Sequence, residues 1–146
     1  MSPNPYQPPA PAPIDPRSAA AQSPGDRSLF ILAGVGALLA SAYWAALTLL
    51  IGVASAVGNV SPTQVLLPIV LIVLYALRGF QLVKGNPAAA KRILWLHGIG
   101  GIVAVLQIMS GGTLVMVLNV IKVAIHLFGG VTAFLALRSY NRAVGL

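Results

Sequence analysis

The chain has 146 residues, of which 58% are hydrophobic and 8% charged, and a formal net charge of +7. A soluble domain carries about 25% charged residues, so this composition, with a mean hydropathy of +0.88, leaves an integral membrane protein as the fitting class. The absence of cysteine excludes a disulfide framework, a thiol nucleophile and a thiolate metal site, and the only acidic residues, Asp15 and Asp26, precede the first apolar run, which excludes paired-carboxylate chemistry within the membrane.

Residues 1–28 hold most of the prolines, the balanced charges Asp15, Arg17, Asp26 and Arg27, and almost no bulky apolar side chains. Such a segment cannot bury enough surface to offset its ordering entropy, and it reads as a disordered tail with polyproline II character. It lacks the layout of a secretory signal, which has a short basic start and an apolar run of about 7–15 residues.

Four apolar segments follow, each near the roughly 20 residues needed to cross a hydrocarbon core. The first spans 29–54, with Asp26 or Ser28 as its cap. The second spans 62–83 and opens on Ser61-Pro62-Thr63-Gln64, a capping-box pattern with proline at the first helical position. Pro68 lies near enough to that start to do little harm. Gly85-Asn86-Pro87 ends this helix and opens the third, over 87–109, with glycine as C-cap and asparagine as N-cap. Ser110-Gly111-Gly112-Thr113 reads as a tight turn into a fourth helix over 113–138, leaving 139–146 as a short basic C-terminus. No segment alternates apolar and polar residues, which argues against a barrel, and uninterrupted apolar runs in lipid must satisfy their backbone bonds as helices. The fold class is therefore all-α, a four-helix transmembrane bundle.

Basic residues set the orientation. Arg17 and Arg27 in the tail, Arg78, Lys84, Lys91 and Arg92 around the middle connection, and Arg138 and Arg142 at the C-terminus all fall on one face. The connections after the first and third helices have no lysine or arginine, so both termini are expected in the cytoplasm. These charges suit anionic lipid headgroups at that face better than nucleic acid.

Helices in lipid associate through small residues. Ala33, Ala37, Ser41 and Ala45 form such a stripe on the first helix, with Gly98 and Gly101 on the third and Gly129 and Gly130 on the fourth. These faces either hold the bundle together or, on the first helix, build a homo-oligomer or meet a larger membrane partner.

The polar residues inside the spans are few. Asn119, Lys122 and His126 share one face of the fourth helix, and Lys122 lies about 14 Å deep at 1.5 Å per residue. An intramembrane lysine is costly unless hydrated, paired or neutral, and no helix offers a carboxylate. Two readings stand. Lys122 faces inward, is partly deprotonated and bonds to Asn119 and backbone carbonyls, or it forms a site for an anionic ligand, a lipid headgroup or a proton. Counting outward from a turn centred between Gly111 and Gly112 puts His97 level with His126, and Gly101 level with Lys122. The two histidines open similar strings, His97-Gly-Ile-Gly-Gly and His126-Leu-Phe-Gly-Gly. Level histidines beside bare glycine backbone suit haem b ligation, a proton relay or a metal, against a plain hydrogen-bonded role. Gln107, Arg78, Tyr43 and Trp44 read as ordinary residues without chemistry. Gly98-Ile-Gly-Gly lies within a membrane helix and is no phosphate loop.

The Asn4-Pro5-Tyr6-Gln7-Pro8-Pro9 start followed by four apolar spans resembles small bacterial four-helix inner-membrane proteins of uncharacterised function. The resemblance implies a bacterial inner membrane and brings no catalytic or cofactor residues with it. Two functions are expected to compete. One is a non-enzymatic accessory or oligomer-forming subunit. The other is a small transport or ligand-binding unit built on Lys122, Asn119, His126 and His97, with haem b as a variant.

Overall fold

Helix boundaries in the structure follow local chemistry. A computed structural model describes residues 25–56, 63–108 and 112–146. Four helices occupy them: α1 (Arg27–Ala56), α2 (Thr63–Val83), α3 (Pro87–Ile108) and α4 (Thr113–Val144). Each is long and apolar enough to cross a membrane. The expectations for the proline-rich tail before Gly25, for Ser61-Pro62 and for the Ser110-Gly111 turn lie outside the described residues.

Asp26 caps α1: its Oδ1 accepts from the Ser28 N–H at 2.9 Å, and its carbonyl accepts from Leu29 at 3.1 Å. The α2–α3 connection is equally explicit. Gly85 adopts φ 80°, a conformation that side-chain-bearing residues avoid, and its N–H donates to the Leu82 carbonyl. The Asn86 side chain then accepts from the Ala88 and Ala89 N–H groups at 3.0 and 3.3 Å. Pro68 sits inside α2 without ending it.

Most boundaries fall within two residues of expectation, and the end of the fourth helix is the exception. The fourth helix does not stop at Arg138 but continues to Val144, where Gly145 at φ 77° closes it. Nothing in Ser139-Tyr140-Asn141-Arg142 breaks a helix, so propagation continues until the glycine. The extra turns have a packing role: Ser139 Oγ accepts from the Asp26 N–H at 3.2 Å, and Gly25 lies against the Tyr140 backbone. The start of α1 is thereby tied to the end of α4.

α1 lies between α2 and α4. Gly34 and Gly36 are two residues apart, which at 100° per residue places them on nearly opposite sides of the helix. Gly34 approaches Gly79 and Val83 of α2, while Gly36 approaches Gly129 of α4. α3 packs on the other side of α4, and Tyr75 of α2 reaches its His97, closing the bundle. The buried side chains are mostly small: Ala33, Ala37 and Ala40 on α1, Ala89, Ala90 and Ala104 on α3, Ala133 and Ala136 on α4. Phe30, Tyr75, Leu82 and Ile93 are the large ones. Outward faces carry Leu49, Leu66, Trp95, Ile102 and Leu114, all well exposed. Small residues within and large apolar ones without is the pattern of helices that pack by close approach in a hydrocarbon solvent.

Candidate functional site

Lys122 points into the bundle and is only 4% exposed. A helical side chain leans toward its own N-terminus, so the lysine stem runs along α4 toward Thr113 and the charge-free end. There its Nζ donates to Gln107 Oε1 of α3 at 3.2 Å and sits 4.7 Å from the centroid of the Trp44 ring of α1. Three helices thus converge on one lysine nitrogen. The face of an indole attracts a cation, and an amide oxygen supplies an acceptor, but neither carries a formal charge.

This corrects two sequence readings. Asn119 does not hold the lysine; its Nδ2 donates to the Val115 carbonyl of its own helix at 3.0 Å. Gln107 and Trp44, which looked ordinary, are the partners. A Cβ at Gly101 would meet the His126 Cβ at 3.6 Å, so the lysine stem does not lie against that glycine.

A cavity of about 470 Å³ opens beside the ammonium, lined by Tyr43, Trp44, Gln107, Asn119 and Lys122 together with apolar Leu47, Val115 and Leu118. The Tyr43 hydroxyl donates to the Leu118 carbonyl at 3.3 Å, which fixes one wall. Trp44 Nε1 is buried and has no hydrogen-bond partner among the described residues. A donor left unbonded in a dry site is costly, and so is a cation without a counter-charge. The only carboxylates of the side chains are Asp15 and Asp26, and Asp26 caps α1 at the far end of the bundle. The chain therefore cannot neutralise Lys122 with an acid from its own spans.

The histidines form the second feature. His97 and His126, 1% and 3% exposed, meet through their Nδ1 atoms at 3.0 Å. The expected level pairing is thus a direct contact, and its geometry follows from the repeated strings. Each ring leans toward its own helix N-terminus and comes to rest on a glycine of the other helix, His97 on Gly129 and His126 on Gly100. A Cβ at either glycine would overlap the ring, while one at Gly101 or Gly130 would make ordinary contact with the partner histidine's Cβ, at 3.6 and 3.5 Å. The arrangement is close to two-fold symmetric. Tyr75 covers both rings at centroid distances of 5.1 and 6.0 Å. Both Nε2 atoms are buried with no hydrogen-bond partner among the described residues.

Axial haem ligands must stand on opposite sides of the macrocycle. His97 and His126 instead touch each other and press their outer edges on glycine, so they are not arranged as axial ligands, and the haem expectation is withdrawn on that geometry. Among the described residues no three potential metal ligands gather.

The remaining named residues fall as follows. Ala33, Ala37 and Ser41 are buried inside the bundle, Ser41 donating to the Ile72 carbonyl of α2 at 3.0 Å, and Ala45 is half-buried. Gly98 meets nothing and, with His97 and His126, lines an apolar cleft of about 580 Å³ between α3 and α4. Gly36, Gly100 and Tyr75 make contacts that spacing did not single out. Tyr75, a lone polar aromatic within the apolar run of α2, was the available signal.

Comparison with protein-family models, with curated proteins and with solved structures found no match for this chain.

Proposed function

We propose that the protein is a membrane-embedded binding unit for a lipophilic anion, held at Lys122 between α1, α3 and α4. The observation that carries this reading is a buried lysine nitrogen beside an open cavity, in a chain whose spans contain no acid. An anionic head would accept from Lys122 Nζ and from the unpartnered Trp44 Nε1, while Leu47, Val115 and Leu118 would meet an apolar body. Charge-assisted bonds of this kind are about twice as strong as neutral ones, and more so away from water. Binding of this type needs no covalent chemistry, and the unit works without catalysis. The setting is a bacterial inner membrane, with the basic end of the bundle on the cytoplasmic side among anionic headgroups and Lys122 reached from the opposite half.

The accessory-subunit reading has less support. The α1 stripe that would build an oligomer is buried within the bundle at Ala33, Ala37 and Ser41.

Trp44 is a built-in reporter, since the chain has only 2 tryptophans and Trp95 is exposed. Octanesulfonate titrated into Trp95→Phe protein in phosphatidylcholine nanodiscs should change Trp44 fluorescence saturably. Lys122→Met should weaken that binding by about tenfold or more, the worth of one charged hydrogen bond. Equal affinity in the two proteins would overturn the assignment.

A further inference from the structure

The histidine pair lies one helical turn from the lysine, since His126 follows Lys122 by four residues on the same buried face of α4. Its Nδ1···Nδ1 contact has a chemical consequence. Two nitrogens at 3.0 Å form a hydrogen bond only if one carries hydrogen and the other does not. In the neutral pair, each ring holds one proton. The ring donating through Nδ1 therefore has a bare Nε2, and the accepting ring carries its hydrogen on Nε2. One of the two unpartnered Nε2 atoms is thus a free base buried in the bundle.

We propose that His97 and His126 act together as a single proton-binding site, filled when an anion occupies the Lys122 cavity. The proton adds to the bare Nε2. The ring that takes it becomes an imidazolium, and its Nδ1–H···Nδ1 bond to the neutral ring becomes a charge-assisted one, so the added charge is shared across the pair. A second cation one turn from Lys122 is disfavoured while the ammonium stands alone. An anion on Lys122 removes that opposition, and the cavity and the pair then fill together with one negative and one positive charge. The surroundings bring no competing carboxylate. α2 presents Tyr75, α4 presents Lys122, and the contact from α1 at this level is Gly36 on Gly129. The glycines hold the rings in register, leaving the proton rather than the side chains to move.

This inference rests on anion binding at Lys122, and one experiment separates the two. Octanesulfonate keeps its charge across the working range, so any proton change belongs to the protein. Calorimetric titrations of the full chain in phosphatidylcholine nanodiscs, in two buffers of different ionisation enthalpy, count protons taken up per anion. The wild-type protein should take up about one proton, and its affinity should rise by up to about tenfold for each unit of falling pH. His97→Gln and His126→Gln should still bind the anion, with no proton uptake and a flat pH profile. Binding without proton uptake in the wild type, or uptake that persists in both glutamine variants, overturns the proton site and leaves the anion site standing. Absence of saturable binding in the wild type overturns both.

Discussion

Gly129 shows how little room the histidine pair has. Its missing Cβ is the space in which the His97 ring lies, whereas Gly98, one residue from that histidine, faces open space. Overpacking a tight contact costs about 1–3 kcal/mol, so Gly129→Ala should lower the thermal midpoint of unfolding in detergent, while Gly98→Ala should leave it unchanged or raise it slightly. Equal effects of the two changes would contradict the packing described. The sequence displayed all these glycines and both histidines, and the antiparallel turn paired the histidines correctly in depth. It did not display which glycine receives which ring, because that depends on the lean of the side chains, about one turn along each helix. Lys122 leans the same way, past Asn119, whose amide bonds to its own helix, and reaches Gln107 and Trp44, which lie far off in the chain. Partners of long side chains are tertiary facts.

Helix ends are a different matter, because the chemistry that stops a helix is local. The Gly85-Asn86-Pro87 joint was legible in full, down to the asparagine that caps α3. Asn86→Ala should cost about 1 kcal/mol through loss of two side-chain bonds to the first turn, and Gly85→Ala about as much again through its positive φ. Chemical denaturation of the solubilised protein should resolve both against Asn4→Ala in the tail as a control. The end of α4 was placed at Arg138, before a short basic C-terminus, though nothing in the backbone there requires an end. Only Gly145 supplies one. Those last turns anchor Asp26 through Ser139, a contact between residues at opposite ends of the described chain.

At the scale of the molecule, the basic residues outline an orientation. With no native cysteine, single cysteines report sidedness cleanly. Lys84→Cys and Arg142→Cys should react with an impermeant maleimide only after the inner face is exposed, and Gly112→Cys from the outside of intact cells. Labelling of Gly112→Cys and Lys84→Cys from the same side would contradict a hairpin through the bilayer.

The all-helical class, the four long apolar helices and the shared face of Asn119, Lys122 and His126 were readable from uninterrupted apolar runs and the few polar exceptions within them, but the direction in which that face points was not. The cavity was not, since it is lined by three helices whose contact surfaces meet only in the folded state. Whether an anion resides there can be measured atom to atom. Lys84→Arg and Lys91→Arg leave Lys122 as the single lysine, so a 15N label on the side-chain nitrogen reports one site. Solid-state NMR in phosphatidylcholine bilayers with octanesulfonate, 13C-labelled at the carbon bearing the sulfonate, should show direct dipolar coupling between that carbon and the lysine Nζ. A lysine signal that stays uncoupled at saturating octanesulfonate would contradict the account.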